Sequence, residues 1–318
     1  MDEYVIFYLL ETILLGGIMN TVSIGNDFNL ENLSQIDVEI DPDYGIVWVY
    51  LNPTKRPCFN PTLIKEVRKV QLLLEMNEGK LPYKGRLIPI QYFVVDSRTP
   101  GIFSLGGDLS LFRDYVINDD KEGFLQHAKL CIDTIHGLIT GCKLPITTIS
   151  LVRGDAIGGG LETALSCQVF IAEDNVEMGL PEVLFNLFPG MGAYHLLTQR
   201  VPPKQAEKIM LNGRKYPSKE LYEMGIIDKL VDTGQGRNAV YSYIKEANRY
   251  RNGYMAIKKI REQTNPITYD DLMDVCNYWV EVAMKASEKD LKLMNDLVKA
   301  QDYVFSVSDK KIQQKSIA

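Results

Sequence analysis

The chain has 318 residues, 46% of them hydrophobic and 24% charged, with a formal net charge of −6. That size and balance fit a soluble globular protein with a sizeable core, in one large domain or two small ones. The acidic excess and the lack of a long basic run argue against a nucleic-acid partner.

The five cysteines, Cys58, Cys131, Cys142, Cys167 and Cys276, form no C-x-x-C pair and are odd in number. They read as free thiols in a reducing compartment, the cytoplasm. His127, His136 and His195 lie far apart without H-E-x-x-H spacing, so no metal site is expected,. Two short basic stretches, LNPTKRP (51–57) and GKLPYKGR (79–86), are candidate patches for an acidic partner, although plain solvated loops account for them as well,.

At the N-terminus YVIFYLLETILLGGI (4–18) is apolar enough to suggest a signal peptide. Asp2 and Glu3 stand where a positive stretch belongs, Glu11 interrupts the run, and no A-x-A step follows,. The run is also too short and too broken to span a membrane. Met19 opens what reads as an ordinary soluble N-terminus, so residues 1–18 are taken as the product of a misassigned start codon.

From Ile36 the sequence IDVEIDPDYGIVWVYLN alternates apolar and polar about an Asp-Pro-Asp-Tyr-Gly turn, which predicts a hairpin,. PTLIKEVRKVQLLLEMNEG (61–79) has helical spacing with Pro61 near its first turn,. IPIQYFVVDS (88–97) is a nearly continuous apolar run, as in a buried parallel strand, and a glycine-rich loop, TPGIFSLGGDLSLFRDYV, follows it,. Residues 121–142 form a long amphipathic helix, PITTISLVRG (145–154) a second buried strand, LETALSC a helix start and QVFIAED a third strand. Residues 203–211 and 218–225 look helical, 227–236 looks like a strand leading into a turn, and almost everything from Asn238 onward has a helical pattern. Strands alternating with helices over short turns predict an α/β core with a helical C-terminal extension.

Two glycine loops carry the first chemical signal. Gly158, Gly159 and Gly160 follow a strand and open a helix, where backbone N–H groups are unpaired and carry positive potential,. The spacing fits neither the dinucleotide fingerprint nor a phosphate loop, so an anion or oxyanion site and simple close packing are the readings left open. SLGGDLSLF (104–112) repeats the arrangement, with Gly106 and Gly107 after the strand 88–97 and Asp108 placed to cap the next helix,. One N–H from each loop, at the ends of neighbouring parallel strands, would converge on a single carbonyl oxygen.

Two glutamates carry the second. Glu162 falls in the first turn of the helix that the glycines open, and Glu182 follows Pro181 in MGLPEVLFNLFPGMG, a stretch with few other charges. Glu162 alone would serve the helix dipole. Two carboxyl groups facing one apolar site would push one pKa upward, which suits general acid–base work. No G-x-S-x-G elbow offers a nucleophile instead, and Cys167 has no histidine near it in sequence,.

The stretch GDAIGGGLETALSCQVFIAEDNVEMGLPEVLFNLFPGMGAY resembles the signature of the crotonase, or enoyl-CoA hydratase, superfamily. Within it, SLGGDLSLF, ALSC, QAEKIMLNG and YWVEVAMKASEKDLKLMNDLVKAQ are similar to the diffusible signal factor synthases. The likeness covers about residues 35–302. It implies a crotonase-like ββα-superhelix core over 35–237, a helical region over 238–318 and an unplaced N-terminal segment 1–34. By the same resemblance Glu162 and Glu182 are the catalytic pair and Gly107 and Gly159 the oxyanion donors, with Gly106, Gly158, Gly190 and Trp279 as substrate-binding residues. The helical run that holds Trp279, Val280, Val282, Met284, Leu291 and Met294 reads as core or subunit-interface packing, or, through Trp279, as a wall of the acyl pocket.

The implied activity is dehydration of a 3-hydroxyacyl-acyl carrier protein to a cis-2-enoyl thioester, then thioester hydrolysis to release a cis-2-unsaturated fatty acid for quorum sensing. No cofactor is implied beyond the acyl carrier protein or CoA that bears the substrate. A homotrimer or hexamer and a cognate sensor kinase as partner come from the same resemblance. Two alternatives stand beside it: an ordinary enoyl-CoA hydratase of fatty-acid metabolism, and a non-catalytic acyl-binding or signalling partner protein.

Overall fold

The computed structural model describes residue 30 and residues 32–315, so most of segment 1–34, including the reading of residues 1–18 as an added start, lies outside the described residues. From Asn32 onward the chain forms one unit. Its first strands, β1 (Ile36–Asp41) and β2 (Ile46–Leu51), pair antiparallel as the hairpin that the alternation predicts. Asp41 closes the turn by accepting from the amides of Asp43 and Tyr44. Helix α1 (Pro61–Met76) starts with Pro61 in its first turn, capped by the Asn60 side chain,.

The apolar run 88–97 is not a single strand. Its first part belongs to β4 (Arg86–Pro89), which pairs with β3 (Lys80–Tyr83), and the run resumes as β5 (Tyr92–Ser97). Lys84 and Gly85 join β3 to β4 with φ of 48° and 75°, the positive pair that a tight two-residue hairpin turn requires,. Pro89 offers no N–H to continue the ladder. The basic stretch 79–86 is therefore a hairpin rather than a loop. In the other stretch Arg56 is neutralised by Asp108 at 2.8 Å and Asp302 at 2.9 Å.

The loop expected after β5 holds a short strand, β6 (Ile102–Ser104), and helix α2 (Leu109–Ile117), whose N-cap is Asp108. Next come α3 (Lys121–Thr140), β7 (Thr147–Val152), β8 (Asp155–Ile157), α4 (Gly159–Ser166), β9 (Val169–Glu173) and β10 (Glu177–Gly179). A 3₁₀ turn over Glu182–Phe185 leads to α5 (Ala193–Thr198), α6 (Pro203–Asn212), β11 (Lys215–Pro217), α7 (Ser218–Glu223) and β12 (Lys229–Val231). The C-terminal helices are α8 (Gly236–Arg249), α9 (Arg251–Thr264), α10 (Tyr269–Ala283) and α11 (Glu288–Lys315).

Two sheets organise these elements. The larger runs β1-β2-β5-β7-β9-β12 and is parallel from β2 to β12. The smaller runs β11-β10-β8-β6, with β6, β8 and β10 parallel. Both glycine loops leave this smaller sheet, after β6 and β8, and not the strands 88–97 and 145–154 from which the sequence pattern derived them. Strands of three residues carry no periodicity that a sequence can display.

One core cluster joins Trp48, Tyr50, Ile149 and Ile171 of the large sheet to Val240 and Ile244 of α8. A second joins α2, α3, the 3₁₀ turn and α10 through Phe112, Phe124, Ile132, Phe185 and Trp279. Phe124 is wholly buried and meets Phe112 and Trp279 with ring centroids 5.3 and 5.0 Å apart. Among the described residues no helix is long and apolar enough to cross a membrane. The Phe124→Ala variant is expected to lose about 3–5 kcal/mol of stability. A lower urea midpoint with an unchanged m-value would register that loss.

Candidate active site

At the end of β8 the chain turns sharply at Gly158, whose φ of 55° and ψ of −125° suit glycine alone,. A Cβ there would lie 2.6 Å from Glu182 Oε1. The Gly158 amide donates to Gly179 O at 2.8 Å, holding β8 against the strand from which Leu180, Pro181 and Glu182 emerge. One loop thus sets the start of α4 and the approach of the second glutamate together.

The other loop packs onto it backbone to backbone. Gly106, with φ of 90°, comes so close that a Cβ would sit 2.9 Å from Ile157 O and 3.2 Å from Gly159 N. The Phe59 amide donates to Gly106 O at 2.7 Å, and Asp108 N donates to Phe59 O at 3.1 Å. The Gly107 amide between them is left without an acceptor among the described residues, as is the Gly159 amide at the first position of α4,. The two free N–H groups lie side by side, the Cβ position of Gly159 being 3.6 Å from Gly107 N.

Glu162, one turn into α4, is 2% exposed. Its Oε1 accepts from the amides of Met191 at 2.9 Å and Ala193 at 3.1 Å, which pins the Pro-Gly turn around Gly190. Burial pushes its pKa up to about 7, and the two amides pull the other way,. Glu182 opens the 3₁₀ turn, and its Oε2 is buried without a partner among the described residues. Burial first, and then the negative charge of Glu162, drive Glu182 well above the usual carboxylate range. The pair therefore favours one proton, held on Glu182, and one charge, held on Glu162 by its two amides.

Both carboxyl groups open on a cavity of about 260 Å³ with mostly apolar walls. All eight site residues selected from the sequence line it: Glu162, Glu182, Gly106, Gly107, Gly158, Gly159, Gly190 and Trp279. Trp279, 4% exposed, packs in the second core cluster and also walls the cavity. Its ring lies where a Cβ on Gly190 would fall, 2.2 Å from Cγ, so only glycine lets turn and indole meet.

Sequence reasoning missed one whole wall. His127, Cys131, Thr134, Ile135 and Leu138 of α3 all face the cavity. Their spacing marks a single helix face, but nothing in the sequence tells a cavity face from a core face. It also missed Gln301 of α11, which lines the cavity while its Nε2 donates to Leu105 O at 3.2 Å. Burial lowers His127 to about 4, which keeps it neutral. Among the described residues no cluster of three or more His, Cys, Asp or Glu could hold a metal ion.

A family model described as enoyl-CoA hydratase/isomerase matches residues 88–292, a span that contains both glycine loops and both glutamates. The chain belongs to the enoyl-CoA hydratase/isomerase family. Among relatives of this family, human mitochondrial methylglutaconyl-CoA hydratase is 29% identical over 152 residues, 48% of this chain and 43% of that protein. The enoyl-CoA isomerase/hydratase claC of Penicillium crustosum is 33% identical over 139 residues, 43% of this chain and 15% of that protein. The chain thus matches less than half the length of these curated relatives. Among solved structures, DspI of Pseudomonas aeruginosa aligns with a TM-score of 0.61 at 22% identity, covering 74% of this chain and 91% of that one. An enoyl-CoA hydratase from Bacillus halodurans aligns with a TM-score of 0.69 at 18% identity, covering 84% and 100%. The fold is the crotonase-like α/β fold, extended here by C-terminal helices.

A buried carboxyl whose pKa rises on folding adds no pH-dependent cost while it stays protonated in both states, and destabilises the fold increasingly as pH climbs towards the raised value. Glu182→Gln is therefore expected to raise the melting temperature by a few degrees at neutral pH and to change little below about pH 4, under the ordinary glutamate value. Thermal melts of both proteins across pH test this.

Proposed function

We propose that the chain interconverts 3-hydroxyacyl and 2-enoyl thioesters, and that it goes on to hydrolyse the product, releasing a free cis-2-unsaturated fatty acid as a quorum-sensing signal. One observation carries the reading: two buried carboxyl groups and two uncommitted amides share a single apolar cavity. A fatty chain suits apolar walls. Loss of the C2 proton leaves an enolate oxygen, and each aligned amide, from Gly107 and Gly159, stabilises that charge by roughly 3–4 kcal/mol.

Dehydration starts from the less favoured arrangement with the shared proton on Glu162: ionised Glu182 takes the C2 proton and Glu162 protonates the departing hydroxyl, which returns the pair to its favoured state. Both amides that bind Glu162 use Oε1, which leaves Oε2 for the substrate. Glu162 then directs water at the thioester carbonyl. Hydrolysis is the downhill step and draws the dehydration forward. Acyl carrier protein or CoA bears the chain, and a cytoplasmic trimer or hexamer, with a sensor kinase as partner, belongs to the same proposal.

A second reading has its own support. The proton on Glu182 and the charge on Glu162 form the resting state that adds water to an enoyl thioester, Glu162 activating the water and Glu182 protonating C2. An ordinary enoyl-CoA hydratase would rest in that state, and the matched relatives bear hydratase and isomerase names.

Product analysis separates the two. Mass spectrometry of purified protein with 3-hydroxyacyl thioesters of both carriers is expected to find free cis-2-enoic acid. Thioesters alone would leave the hydratase. Glu162→Ala and Glu182→Ala are each expected to cut product formation by about 100- to 10,000-fold while the protein stays folded. Full activity in either variant removes that residue from the chemistry.

Catalysis also needs one proton on the pair. Both carboxyl groups are displaced upward. The kcat/KM profile should therefore fall on the acid side already near neutrality, when both hold protons, and again at high pH, when neither does. An acid limb at the ordinary glutamate value would contradict the shared-proton arrangement.

A further inference from the structure

Besides Glu182 Oε2, three polar side-chain atoms of cavity-lining residues are buried without a partner among the described residues: Gln301 Oε1 on α11, and His127 Nδ1 and Trp279 Nε1, which lie on either side of one aromatic ring. His127 is 6% exposed and Trp279 4%, and both line the cavity that holds the glutamates. They flank Phe112, whose ring lies 5.7 Å from the imidazole and 5.2 Å from the indole, centroid to centroid. The other imidazole nitrogen, Nε2, has the soft Cys131 sulfur, at 3.8 Å, as its partner among the described residues.

Leaving a buried donor or acceptor unpaired destabilises a fold, because its hydrogen bonds to water are lost and not replaced. A leucine or phenylalanine would line an alkyl pocket without that cost. A neutral imidazole and an indole N–H on one apolar wall are therefore best matched by a ligand atom that both donates and accepts. In the function proposed above, on which this step rests, the thioester oxygen belongs to the Gly107 and Gly159 amides and the C2–C3 unit to the glutamates. Any oxygen left to meet His127 and Trp279 lies farther along the chain.

We propose that the cavity is built for an oxygenated acyl chain, with His127, supported by Trp279 Nε1, hydrogen-bonding a hydroxyl group beyond C3. A hydroxyl serves His127 in either tautomer, donating to the bare nitrogen or accepting from the N–H. A plain alkyl chain satisfies neither ring.

The test is calorimetric binding to the full chain, which needs no turnover. The probes are N-ethyl amides of dodecanoic acid and of its monohydroxylated forms, with the hydroxyl moved along each carbon beyond C3. They are neutral mimics of the thioester that resist cleavage. At least one hydroxylated probe is expected to bind about 10-fold more tightly than the plain one, the equivalent of a single well-made hydrogen bond. His127→Leu should reverse that order, tightening the plain probe and weakening the hydroxylated one, whereas His127→Gln should keep the preference. Equal binding of all probes by the wild type, as when water alone satisfies the two rings, overturns the proposal. So does an unchanged preference in a folded His127→Leu protein, or no binding of any probe. Thioester turnover is assayed in parallel. A hydroxyl preference without turnover sinks the enzymatic reading alone, and turnover without a preference sinks this proposal alone.

Discussion

Two carboxyl groups share one apolar hollow, and that hollow tolerates a single negative charge far better than two. The structure resolves this conflict unevenly. Glu162 is given two backbone donors and can stay ionised, whereas Glu182 has no such help and its own pKa is raised further by the charge on Glu162,. The asymmetry is built from the backbone. The amides that stabilise Glu162 belong to Met191 and Ala193, just after the turn that brings Gly190 against Trp279. The group that holds the charge is also the group that fastens a wall of the cavity.

The two amides beside the carboxyl pair depend on contacts that admit no side chain. Gly106 presses on Ile157 O and Gly159 N, and Gly158 leaves room for the Glu182 carboxyl. These contacts join two strands of only three residues each, β6 and β8, whose pairing shifts register between Ile102 and Ser104. The larger sheet supplies the buried mass. The smaller one places the reacting groups.

Much of this was legible in the sequence where a pattern is local. The β1–β2 hairpin, the Pro61 start of α1, the Asp108 cap and the long helix α3 are all written in turn residues, caps and periodicity. The glycine and glutamate spacing and the helical run around Trp279, read through resemblance, selected eight residues that do share one cavity. What failed was either short or distant. The strands β6, β8 and β10 are too brief to alternate, and Pro89 hid a hairpin inside an apolar run. The wall formed by His127, Cys131 and Thr134 looks in sequence like any buried helix face. Gln301 meets Leu105 across 196 residues, a separation that no local pattern reports.

The long helix α11 has a consequence of its own. Arg56, ahead of α1, binds Asp108 beside the first glycine loop and also Asp302 on α11, while Leu297, Ala300 and Gln301 complete the cavity wall. During synthesis both glycine loops and both glutamates leave the ribosome more than a hundred residues before these last wall positions. The pocket can close only after α11 has been synthesised, so its apolar wall is the last part of the site to be completed.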